Sequence, residues 1–209
     1  MNPIKKLYCR TFQSVFKIAI PLLPYRSPEL LHGMEELVGK LNELQLASVL
    51  LVTDAGIRGL GLTKHLEELL SENNISCTVY DGTVANPTTD NVNEALTLYK
   101  KNNCQALIGF GGGSSLDCAK AVGARAACPK KSLAKMEGIL KVHHKLPLLI
   151  AVPTTAGTGS EVDQWGVVNN EETQEKIGCG GYDSLFPVLA VVDPELMTSV
   201  PARFTAYQG

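Results

Sequence analysis

The chain has 209 residues, of which 44% are hydrophobic and 19% charged, with a net charge of -2. That length is enough to bury a full core, and the balanced charge gives no basis for nucleic acid or an anionic membrane as partner. Six scattered cysteines with no CxxC pair exclude a disulfide frame or zinc knot and suit reduced thiols of a cytoplasmic protein.

Residues 1–28 read as an N-terminal arm. Lys5, Lys6, Arg10 and Lys17 precede a short apolar stretch broken by Pro21 and Pro24. The stretch is too short to span a bilayer and lacks the small-residue cleavage site of a signal peptide. An irregular arm or hairpin packed on the domain is expected.

Residues 29–209 read as one α/β domain. Four runs dense in Leu, Val and Ile (Ala47–Thr53, Ile75–Tyr80, Gln105–Phe110 and Pro147–Val152) show little polar alternation. That pattern suits strands covered on both faces. Helical patterns lie between them at Leu62–Leu70, Asp90–Lys101 and Leu116–Ala127. The alternation predicts a Rossmann-like parallel sheet with helices on both faces and right-handed crossovers. After a Thr- and Gly-rich loop at Pro153–Glu161, a strand is expected within Val162–Val168, a turn over Asn169–Glu175 and a strand at Val188–Val192.

The clearest chemical signal is Gly111-Gly112-Gly113-Ser114-Ser115-Leu116-Asp117, set between a predicted strand and helix. A glycine turn brings bare N–H groups close to an anion, and the helix N-terminus adds partial positive charge. This suits a phosphate, most naturally the pyrophosphate of a dinucleotide. A tight turn that binds nothing is the alternative, at the backbone-entropy cost of three consecutive glycines. Neither GxGxxG nor Walker A spacing is met.

Asp54 ends the first of these strands, at the edge where open α/β sheets bind ligands. A carboxylate there can accept both hydroxyls of an adenosine ribose. It would repel a 2′-phosphate by roughly 1–4 kcal/mol at about 4 Å, favouring NAD over NADP. It can equally cap the helix that follows. A response-regulator reading of Asp54 fails for want of an acidic pair near that strand. Thr154, Thr155, Thr158 and Ser160 place hydroxyls on the loop after another strand; ribose, phosphate or solvent could take them. His32, His65, His143 and His144 form no ligand set, and Lys176 reads as a surface lysine.

Together these clusters, with Asn86-Pro87 and Asp193-Pro194-Glu195-Leu196, resemble the iron-containing (group III) alcohol dehydrogenase family, especially its butanol-dehydrogenase-like members. The resemblance implies a dehydroquinate-synthase-like N-terminal nucleotide domain, without the all-helical C-terminal domain. It implies cofactor contacts at Asp54, Asn86, Gly112, Gly113, Ser114, Ser115, Thr154, Thr155, Thr158, Val167, Lys176 and Leu196. The activity implied is NAD-dependent hydride transfer between a primary alcohol and its aldehyde, in a protein that commonly dimerises. The family's Fe2+ (sometimes Zn2+) ligands, an aspartate and three histidines, begin just after a segment like Thr205–Gly209, so the metal is expected only in a full-length form. This chain alone is then expected to bind nucleotide weakly, not turn over, and self-associate. Asp163 stands where the family more often has threonine. A stand-alone nucleotide-binding module without chemistry is the competing reading. A glycerol-dehydrogenase-like relative is disfavoured by the Pro153–Glu161 loop.

Overall fold

A computed structural model describes residues 2–19, 21, 26–138, 141–142, 144–181 and 185–208. His143, Gly209 and residues 20 and 22–25 of the expected arm lie outside them. Six parallel strands form one sheet in the order β1-β8-β5-β4-β2-β3. They are β1 (Glu29–Leu31), β2 (Ser48–Val52), β3 (Ser76–Tyr80), β4 (Ala106–Gly111), β5 (Leu148–Pro153) and β8 (Leu189–Val191). The four long apolar runs are β2 to β5, within a residue or two of their expected limits.

Alternation along the strands divides the core into two layers. Leu50, Val52, Leu107 and Leu149 face α5 (Thr89–Lys101) and α6 (Gly113–Ala127). Val49, Leu51, Ile108, Phe110, Ile150 and Val152 face α2 (Met34–Glu43) and α4 (Lys64–Glu72). Residue β4 side chains are buried throughout, as a strand covered on both faces requires. Its Gly109 is needed for that cover: a Cβ would come within 3.2 Å of the Leu116 backbone in α6.

Three regions differ from the sequence reading. The arm is a helix, α1 (Pro3–Ala19), with no buried residue, because its apolar side chains recur at helical spacing and its one proline stands at the first helical position, where it is tolerated. It is neither irregular nor packed into the core. The strand expected from Val162 begins at Trp165, and β6 (Trp165–Asn170) pairs antiparallel with an unanticipated β7 (Glu175–Gly180). The expected turn shrinks to the four residues between them. Finally, α2 and β1 were not foreseen. Leu37, Val38 and Leu41 of α2 are buried at helical spacing, so the signal was present in Met34–Glu43.

The hairpin β6–β7 lies over α6. Gly166 permits the approach, since a Cβ there would sit 3.2 Å from the Asp117 carbonyl oxygen. A short helix α3 (Ala55–Gly59), two 3-10 turns (Leu133–Met136 and Pro194–Met197) and α7 (Ala202–Gln208) complete the described residues.

Candidate nucleotide-binding site

The chain leaves β2 for β3 on one side and returns to β4 on the other. The reversal opens a crevice outside the carboxyl ends of β2 and β4, the place where such sheets bind ligands. A cleft of about 700 Å3 occupies it. Asp54, Gly112, Gly113, Ser114, Ser115, Thr155 and Thr158 all line it.

Each wall has a local cause. Gly111 has φ +143°, and a Cβ there would lie 2.7 Å from Ser115 Oγ; only glycine lets the strand turn so sharply into α6. Gly112 is the N-cap of α6 and offers no capping side chain, which leaves the first N–H groups of the helix without a side-chain acceptor. A Cβ on Gly113 would press within 3.3 Å of Thr158 and Ser160, so the turn and the threonine loop face each other across bare backbone. The Thr154 N–H donates to the Gly111 carbonyl at 2.9 Å, joining the ends of β5 and β4. The Thr154 hydroxyl is buried and has no hydrogen-bond partner among the described residues.

Asp54 fulfils the capping role considered for it. Oδ1 accepts from the Ile57 N–H at 3.0 Å, and Oδ2 accepts from Ser115 Oγ at 3.4 Å. Its carboxylate still lines the cleft, so capping and ligand contact are compatible.

Asn86, Thr154, Val167, Lys176 and Leu196 are not among the lining residues. Asn86 adopts a left-handed backbone, φ 57°, and its N–H donates to Ser114 Oγ at 3.2 Å. Lys176 Nζ donates to Asn86 Oδ1 at 3.4 Å. These two therefore sit at the rim, tied to the glycine turn. Val167 is an exposed side chain of β6. Leu196 packs against the core layer of α2 and α4.

Sequence reasoning missed the wall formed by Thr83, Val84 and Ala85. It follows β3, so the rule that ligands gather at carboxyl ends of strands was the available signal. Asn91 shapes it. Its Nδ2 donates to the Gly82 carbonyl at 3.0 Å and to Tyr80 Oη at 3.1 Å, while Oδ1 accepts from the Thr88 N–H.

Beneath the threonine loop lies a buried charge. Lys120, 1% exposed, donates from Nζ to the carbonyls of Asp163 at 3.0 Å and Trp165 at 2.9 Å, and to the Asp163 carboxylate. All three ammonium protons are satisfied, as a buried cation requires. Burial pushes Lys120 below the ordinary lysine value against the pull of Asp163. Asp163 thus replaces the expected threonine with a counterion, fastening the segment after the threonine loop to α6. One turn earlier on α6, burial raises the Asp117 carboxyl to about 6, although Lys120 and hydrogen bonds from the Val167 N–H and Ser160 oppose it.

The family model for iron-containing alcohol dehydrogenases matches residues 31–194. The chain belongs to the iron-containing alcohol dehydrogenase family. A choline dehydrogenase of Bacillus subtilis (strain 168) is 40% identical over 168 residues, 79% of this chain and 42% of that enzyme. An alcohol dehydrogenase from Oenococcus oeni superposes with a TM-score of 0.83 at 30% identity, covering 88% of this chain and 49% of that one. A sulfoacetaldehyde reductase from Bifidobacterium kashiwanohense, solved in complex with NAD+, gives 0.76 at 30% identity over 88% and 50%. The chain spans about half the length of the curated relatives it matches.

Proposed function

We propose that this chain is the nucleotide-binding part of an NAD-dependent, metal-dependent alcohol dehydrogenase acting on a small primary alcohol or its aldehyde. The observation that carries the reading is the uncapped glycine turn at the α6 N-terminus, facing a threonine loop across the switch-point crevice. Bare N–H groups, the Thr155 and Thr158 hydroxyls and the Asp54 carboxylate fit a dinucleotide: an anion at the helix end, uncharged donors beside it and an acceptor for ribose hydroxyls.

In this reading the N–H groups around Gly112–Ser115 take the pyrophosphate. Asp54 accepts the adenosine ribose hydroxyls and repels a 2′-phosphate. Thr155 and Thr158 bond ribose and carboxamide oxygens, and Asn86, Thr154, Val167, Lys176 and Leu196 border the nucleotide. A bound nicotinamide supplies the hydride acceptor, and the protein's part is to hold it in one orientation. Among the described residues no three His, Cys, Asp or Glu side chains gather as a metal site, so no step is assigned to a metal on this chain. The alcohol and aldehyde enzymes among its relatives support the substrate class. The same reading places the chain in the cytoplasm as a homodimer.

Calorimetric titration with NAD and NADP tests it. NAD should bind, and NADP at least tenfold more weakly. Asp54→Asn keeps a good helix cap and removes the charge, so the affinity ratio should move toward NADP by about tenfold. A folded chain that bound neither nucleotide would overturn the proposal.

A further inference from the structure

The overall charge of -2 conceals a segregation. Residues 2–19 hold four cations, Lys5, Lys6, Arg10 and Lys17, and no acid. The remaining 15 Lys and Arg (19 less these four) stand against 21 Asp and Glu, so the rest of the chain is acidic. The four cations lie on α1, which buries nothing.

Helical spacing sorts α1 into two sides. Ile4, Leu7, Tyr8, Phe12, Val15 and Ile18 share one broad face, and all six are exposed. Tyr8, Phe12 and Phe16 stack in series along it, with centroids 6.5 and 5.8 Å apart. Lys6, Arg10 and Lys17 share the opposite side with Gln13, and Lys5 sits at the apolar margin. Helices that pair with protein helices usually flank their apolar seam with both signs of charge. Here only one sign is present. A broad aromatic and aliphatic face, on a helix whose only charged side chains are cations on its margin and polar side, complements an anionic bilayer surface, where apolar side chains enter the headgroup boundary and Lys and Arg reach toward lipid phosphates. No helix among the described residues is long and apolar enough to cross a membrane, so the geometry is that of a helix lying in the surface plane.

We propose that α1 is an interfacial helix that attaches this protein to anionic lipid bilayers. The inference is independent of the nucleotide site.

Co-sedimentation of the 209-residue chain with phosphatidylcholine vesicles, with and without phosphatidylglycerol, tests it. Binding should require the anionic lipid and weaken as salt rises. Arg10→Glu with Lys17→Glu should weaken it by at least about fivefold for each cation removed. Phe12→Glu with Val15→Glu should abolish it. None of these side chains packs in the core, and urea unfolding verifies that each variant stays folded. Equal binding to both vesicle types, no binding to either, or unchanged binding by the Phe12/Val15 variant would overturn the proposal. So would a wild-type dimer that fails to bind vesicles and that the Phe12/Val15 variant dissociates in analytical ultracentrifugation, because a second copy would then cover the face.

Discussion

Asp117 shows how one half-buried side chain couples the cleft to solution pH. It lines the cleft near the glycine turn, and burial holds its carboxyl at about 6. Above that pH it is an anion beside the proposed pyrophosphate position. Nucleotide affinity should therefore fall as pH rises through about 6, by roughly fivefold for ~1 kcal/mol of screened repulsion. Asp117→Asn should remove the step; calorimetry on both sides of that pH measures it. Stability follows the same sign. The folded protein holds this proton more tightly than the unfolded chain, whose carboxyl titrates at the ordinary 3.8, so the Asp117 contribution declines as pH rises from about 4 to 6. Asp117 was visible in the sequence only as the end of a motif, because its role depends on burial by β6, a distant segment. Asp54 was more legible: its place after an apolar strand announced both the cap and the cleft.

Elements were legible where periodicity was long and obscure where tertiary partners define them. Strands β2 to β5 are uninterrupted apolar runs, and α5 and α6 hold a helical period over 13 and 15 residues. By contrast, β1 is three residues long, and β7 reads Glu-Lys-Ile-Gly-Cys-Gly, a sequence with no strand signal apart from its pairing with β6. The β4–α6 junction yields a sharp contrast. Gly111→Ala places a side chain at φ +143° and 2.7 Å from Ser115 Oγ, so it should cost about 1–3 kcal/mol and lower the urea midpoint. Gly112→Ala meets nothing closer than 3.6 Å, at Thr155. It should cost less than about 1 kcal/mol, yet weaken nucleotide binding by placing a methyl group on the cleft wall. Equal stability losses in the two variants would contradict the assigned turn geometry.

For the whole molecule, stability resides in the two layers about the sheet, and α1 belongs to neither. A chain lacking residues 2–19 should match the unfolding free energy of the full one within about 0.5 kcal/mol, measured in urea. A larger loss would show that α1 packs on the body. The sheet itself has another consequence, set by its pairing order. β1 joins β8 through Glu29↔Leu189 and Leu31↔Val191, partners separated by about 160 residues. At a synthesis rate of about 5–20 residues per second, roughly 8–30 s pass between the making of β1 and of its partner. Throughout that interval β2, β3, β4 and β5 can assemble in the order they emerge, while the first strand of the finished edge waits alone on the nascent chain. Its brevity and its Glu29 make it a poor template for pairing with a neighbouring polypeptide, so the strand that waits longest for its partner during translation is also one of the two shortest in the sheet.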